Sequence, residues 1–242
     1  GETPVLPGTV PLGDYIASLF GAVGVMIALR HAEHTGRGQV IDVGIYEAVF
    51  RVLEEIAASY GLHGTVRERE GSGSFVACPH GHFRSSNGKW IAIACTTDKM
   101  FERLALAMGR PELASAEMYG PQHKRLKARA EVNRIVTEWV GAHDRTEVLE
   151  KCLAEEVPAG KVNSIADIFA DEHFQARGNL ARVRAGDLGE VVVPGVVPRL
   201  SATPGRIDHL GPTLGNANAD VLGGLLGLQA EEIRRLRQQR VV

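Results

Sequence analysis

One stretch limits what this chain can fold into more than any other. From Gly13 to about His34 the sequence has helical character and is almost wholly apolar, and Tyr15–Leu29 holds fifteen residues without a charge. Fifteen is short of the ~20 residues that span a bilayer, so the run predicts a helix inside a protein core. A helix that is apolar on every side needs cover on every side. Gly21 and Gly24 fall on adjacent turns and would let a neighbouring backbone come close. Asp14 stands at the start of this helix, where an N-cap or first-turn acid is favoured, and Gly36 follows as a stop signal. The preceding residues 1–12 carry three prolines and two glycines and read as an extended lead-in.

The remaining pattern is mixed. Gln39–Gly44 is a β-branched run and reads as a strand. Tyr46 to about Tyr60 reads as a helix closed by Gly61. Residues 61–75 bring glycines, the charged run Arg67–Glu70 and then Gly71-Ser72-Gly73-Ser74, a loop that marks a domain boundary. Two strands, Phe75–Phe83 and Lys89–Cys95, flank Asn87-Gly88, a strong hairpin signal. Asp98–Met108, His123–Val140 and Arg145–Leu153 read as amphipathic helices. Short elements follow around Ile165 and Phe174, then a strand at Leu188–Val193 and a Pro- and Gly-rich loop over 194–218. Helices at Ala219–Leu226 and Ala230–Arg237 close the chain. The expected organisation is α/β: residues 1–65 as part of a large domain, 66–165 as a small α+β domain, and 166–242 as a return segment with C-terminal helices.

Composition narrows the function. Lys plus Arg number 27 against 29 Asp plus Glu, a net charge of −2 over 242 residues. This balance argues against nucleic acid or an anionic membrane as partner. Three widely spaced cysteines, Cys78, Cys95 and Cys152, make no disulfide framework and suggest a reducing, cytoplasmic setting.

Four groups could carry chemistry. Asp14, at the positive end of a helix dipole, would stay ionised as a nucleophile must, although the residues alone favour a plain capping role. Gly71-Ser72-Gly73-Ser74 could turn backbone N–H groups onto an anion, or serve as a linker; it lacks the Walker spacing. Cys78, His80 and His82 would share a face if the segment is one strand, but no fourth ligand is close, so no metal is expected. Thr35-Gly36-Arg37-Gly38-Gln39 places an arginine that could meet a phosphate or carboxylate in a structural turn.

Taken in order, these pieces resemble the class III CoA-transferases, the family of carnitine and formyl-CoA transferases. The resemblance runs through Pro11-Leu12-Gly13-Asp14-Tyr15, Arg30-His31, Thr35-Gly36-Arg37-Gly38-Gln39, Ile41-Asp42-Val43 and Glu47-Ala48. It continues through Phe83–Ile93 and Phe101–Pro111 to Gly211-Pro212-Thr213-Leu214-Gly215, Asp220-Val221-Leu222 and Leu226-Gly227-Leu228. Asn216-Ala217 stands where the family often has Glu-His. The resemblance implies a Rossmann-like large domain, only part of which is present, with a small α+β domain, in interlocked homodimers. It implies that Asp14 attacks an acyl-CoA thioester to give an aspartyl anhydride and then an aspartyl-CoA thioester. It further implies a substrate or oxyanion loop at Gly71, Ser72 and Gly73, coenzyme A as substrate with no further cofactor, and a carboxylic acid as acceptor. Arg37, Arg84 and the histidines are candidate acid-binding groups, and a short dicarboxylate with succinyl-CoA as donor is the expected pair. Family members carry a nucleotide-binding half ahead of the Pro-Leu-Gly-Asp-Tyr motif, so the chain reads as a C-terminal portion whose other half is a separate or cleaved segment. An acyl-CoA racemase, in which the aspartate is an acid/base, and a non-catalytic subunit or fragment are the alternatives.

Overall fold

The structure is a computed structural model that describes residues 10–69 and 71–242. Most of the predicted lead-in over 1–12, and Glu70 of the charged run, lie outside the described residues. The chain divides into two compact units, residues 1–162 and 163–242.

The first unit begins with helix α1, Leu12–Thr35, which ends on Gly36 in the left-handed region (φ 69°) with its N–H donating to Ala32 O. The helix and its stop are where the sequence puts them. Its burial is not: none of its residues is buried, and Tyr15, Leu19, Val23, Met26 and Ile27 are exposed. Helix α2, Ile45–Arg51, packs beside it. Gly13 permits this, because a Cβ there would lie 3.1 Å from Ile45 Cγ2, and Gly24 similarly makes room for Ile41 at 3.2 Å. The other sides of α1 have no cover within this chain's described residues. It is also the one helix among them long and apolar enough to cross a membrane by length and composition.

Residues 39–44 form no strand, and Val40 is 95% exposed. A β-branched run becomes a strand only when a neighbour completes the ladder, and none of the described residues does so. The expected single helix over 46–60 is two. Glu54 takes a positive φ of 54° between α2 and α3, Ile56–His63. Gly61 lies inside α3, and Gly64 (φ 67°) is the residue that ends it.

The core of this unit lies under a three-stranded antiparallel sheet of β1 (His80–Arg84), β2 (Trp90–Ala94) and β3 (Ala159–Lys161), with β2 central. The β1–β2 hairpin turns at Ser86-Asn87-Gly88, with Gly88 at φ 78° supplying the left-handed residue of a three-residue loop. Period-2 alternation sends Phe83, Ile91 and Ile93 into the core. They meet Phe101 and Leu104 of α4 (Asp98–Ala107), Val132, Val136 and Val140 of α6 (Arg129–Gly141), and Val148 of α7 (Arg145–Ala154). The valines of α6 recur every four residues, which gives a one-sided apolar stripe. Thr97 caps α4 through Met100 N, and Asp144 caps α7 through Thr146 N. The expected helix over 123–140 is interrupted, since α5 (Gln122–Lys127) stops at Ala128 before α6 begins.

The second unit holds α8 (Ile165–Ala170), opened by a Ser164–Asp167 capping box, and α9 (Glu172–Ala176). An antiparallel hairpin follows, β4 (Leu180–Arg184) with β5 (Glu190–Pro194). Residues Ala219–Leu225 form a wide helical turn of π type, and α10 spans Ala230–Gln238, with Ile233 buried.

Candidate active site

Asp14 is the third residue of α1. Pro11 occupies the N-cap position, so the aspartate is a first-turn acid and not the cap. Tyr15 N–H donates to Pro11 O at 3.2 Å, closing the first turn around it. The Asp14 side chain is exposed, and no hydrogen bond or ion pair reaches it among the described residues. Proximity of α2 at Gly13 fixes the backbone under it, while Gly44 and Glu47 brace α2 through a hydrogen bond from Gly44 N–H to Glu47 Oε2 at 2.9 Å. A carboxylate in this place sits at the positive end of a 24-residue helix, on a pinned backbone, with its oxygens open to a reactant.

The Gly71–Ser74 loop crosses the outer edge of β1. Ser72 Oγ accepts the His82 N–H at 3.1 Å, and so covers part of an edge strand that would otherwise show open donors. Gly81 allows the approach, for a Cβ there would lie 3.3 Å from Ser72 Oγ and 3.4 Å from Ser72 O. Gly71 takes a positive φ of 65°, and Gly71, Ser72 and Gly73 are all exposed. Downstream, Phe75 is held between the Arg67 and Arg129 guanidinium groups, at 4.8 and 5.9 Å from the ring centre, and Arg129 donates to Phe75 O at 2.9 Å. Arg67 is also paired with Glu55. The loop is therefore anchored on both sides of its exposed tip. Among the described residues no hydrogen bond or ion pair joins it to Asp14.

The other candidates separate. Cys78 precedes the start of β1, so strand alternation does not govern it; it is buried in the core. His80 and His82 lie on the opposite, outer side of the sheet, where they line a groove of about 400 Å³ beside the loop. No three His, Cys, Asp or Glu residues among those described form a group that could hold a metal ion. Arg37 is exposed just past the α1 stop. Arg84 turns back on its own hairpin, its Nε donating to Gly88 O at 3.3 Å. All three cysteines are free and buried; burial pushes the thiols of Cys78 and Cys152 up to about 11 and that of Cys95 to about 12.

Sequence reasoning missed Arg125. It is wholly buried, with Nη2 donating to Asp98 Oδ1 at 2.8 Å, Nε to Cys78 O at 2.7 Å and Nη1 to Tyr119 O at 2.8 Å and to Gly120 O. Its guanidinium lies 4.8 Å from the Phe101 ring centre. Its helix, Gln122–Lys127, carries two lysines and a histidine beside the arginine and only one leucine, so no pattern along the sequence marked Arg125 for burial.

The model of CoA-transferase family III matches residues 1–218. The chain belongs to CoA-transferase family III. Within that family it is 69% identical to a Chloroflexus aurantiacus protein named as the alpha subunit of succinyl-CoA–L-malate CoA-transferase, over all of this chain and 56% of that protein. It is 52% identical to the beta subunit named for the same enzyme, over 99% of this chain and 60% of that one. Among solved structures, a CaiB/BaiF family protein from Brucella suis matches with a TM-score of 0.73 at 27% identity, covering 93% of this chain and 58% of its own. The α/β class expected from the sequence is the class of this family III fold. The chain spans about half the length of the curated relatives it matches.

Proposed function

We propose that the protein transfers coenzyme A between an acyl-CoA and a small dicarboxylic acid, with Asp14 as the carboxylate that carries the intermediates. One observation supports this above the others. A family III chain presents a first-turn carboxylate, exposed and without a protein partner among the described residues, at the tip of an apolar helix. Relatives named for succinyl-CoA and L-malate support that donor and acceptor.

The steps balance without an external acid, base or oxidant. An Asp14 oxygen attacks the thioester carbon, the carbon–sulfur bond breaks, and CoA leaves as thiolate. The thiolate attacks the Asp14 acyl carbon of the mixed anhydride, which releases the donor as a free carboxylate and leaves an aspartyl-CoA thioester. An acceptor carboxylate then attacks that thioester and expels the thiolate. The thiolate finally takes the acceptor's acyl carbon and restores Asp14 as a carboxylate. Each addition places charge on an oxygen, and the exposed backbone of Gly71, Ser72 and Gly73 is the group we assign to meet it. Coenzyme A is substrate throughout, and no further cofactor enters.

The uncovered sides of α1 belong, in this reading, against the polypeptide that makes up the rest of the relatives' length, in an interlocked dimer in the cytoplasm. That contact, and not a bilayer, would bury Tyr15, Leu19, Val23 and Met26, and the same polypeptide would pair residues 39–44.

The test uses intact protein with succinyl-CoA. Hydroxylamine or borohydride trapping followed by mass spectrometry should place an adduct on Asp14. Asp14→Asn should keep the fold, because the side chain caps nothing, and should lower exchange by at least about a thousandfold, as loss of a covalent nucleophile does. Full exchange in the variant overturns the reading. Deuterium uptake at the substrate α-carbon without acyl exchange would instead indicate an epimerase.

A further inference from the structure

The groove on the outer face of the three-stranded sheet has a specific chemistry. Its floor is made of small groups, Ala92 and Ala94 on β2 and Gly160 on β3, and its rim holds Ser72, His80 and His82. The register places His80 opposite Ala94, His82 opposite Ala92 and Ala92 opposite Gly160, so the imidazoles stand beside a shallow alkyl floor. None of the described lining residues is acidic.

His80 adds direction. Its Nδ1 is buried with no hydrogen-bond partner. With the proton placed on Nε2, the buried Nδ1 would carry only a lone pair, which is the less costly group to leave unmatched. No hydrogen bond or ion pair holds Nε2 among the described residues, and it is not among the buried unpartnered atoms, so we assign it to the groove side of the ring. In this arrangement His80 presents an N–H donor at a groove whose described lining holds no carboxylate, roofed at its rim by the same loop that the proposed function assigns to the reacting oxygens.

We propose that this groove receives the non-reacting carboxylate of the dicarboxylic acid, with His80 Nε2–H as its principal donor and His82 beside it. His80 is then a specificity-determining residue that distinguishes a dicarboxylate from a monocarboxylate of similar size. The proposal rests on the CoA-transfer reading for its substrate class, although ligand binding can be measured without turnover.

Two measurements on the intact protein test it. In an Asp14→Asn background, histidine-ring NMR during succinate titration should show the His80 signal moving with saturation; no movement overturns the proposal. In otherwise wild-type protein, exchange is compared for L-malate and for the 2- and 3-hydroxybutyrates, in which one carboxylate is replaced by methyl. His80→Ala should lower kcat/KM for malate about ten- to a hundredfold, as loss of a hydrogen bond to a charged group does, and change the hydroxybutyrates less than about twofold. His80→Gln, which keeps an N–H donor, should recover part of the loss. Equal losses for both acid classes overturn the assignment. A succinate-dependent shift of His80, together with full CoA exchange in the Asp14→Asn variant, would keep the groove and refute the catalytic reading of Asp14.

Discussion

Replacing Arg125 tests how the small-domain core is held. The guanidinium is wholly buried, and Arg125→Met would fill much of its volume while removing every donor. The carbonyls of Cys78, Tyr119 and Gly120 would each lose a partner. An unmatched buried acceptor costs about 1–3 kcal/mol, and water entering the vacated space recovers part, so the net loss is about 3–5 kcal/mol. Asp98 behaves differently. Its side chain is 62% exposed and three carbonyls still hold the guanidinium, so Asp98→Ala should cost less than Arg125→Met although it leaves a buried cation without its counter-charge. The two partners of one ion pair should therefore give unequal effects. Arg125→Lys keeps the charge but not the fork, and should fall between them. Both tryptophans of this chain, Trp90 on β2 and Trp139 on α6, lie in the same unit, so urea unfolding followed by their fluorescence reports the change. At about 2–4 °C per kcal/mol, Arg125→Met should also lower the thermal midpoint by about 10 °C. An Arg125→Met variant within about 1 kcal/mol of the parent, or an Asp98→Ala variant as unstable as Arg125→Met, would refute the view that the three carbonyl contacts dominate.

Acid should loosen the α7 cap. The hydrogen bond from Thr146 N–H holds the Asp144 carboxyl below its usual range, with burial opposing and the Asn87 amide assisting. A depressed folded pKa gives stability that is full above the ordinary carboxylate value and is lost as pH falls through the lower folded one. Thermal midpoints measured downward from about pH 5 should fall less in Asp144→Ala than in the parent, and parallel curves would refute the linkage. Burial raises all three thiols, so at pH 8 a thiol reagent should label none of Cys78, Cys95 and Cys152 in the native protein and all three after unfolding; rapid native labelling of any of them would contradict the packing.

What the sequence could reveal was what local physics decides. The apolar stripes of α4, α6 and α7, the Asn87-Gly88 turn and the Gly36 stop depend on residues within a few positions of one another, and each is found where its pattern lies. The same holds for Asp14, whose first-turn position follows from the helix start. Long-range partners decided the remainder. Gln39–Gly44 has strand composition, yet no described neighbour completes its ladder. The α1 run is helical by composition, but burial is a property of what packs against it, and the described residues supply cover on only one flank. Arg125 is buried because Cys78, Tyr119 and Gly120, all outside its helix, turn their carbonyls towards it. The buried, unpartnered Nδ1 of His80 likewise follows from what packs around the ring in the folded sheet. Helix and turn energies are short-ranged and can be read along the chain; burial and hydrogen-bond satisfaction depend on groups distant in sequence, and only the folded arrangement specifies those.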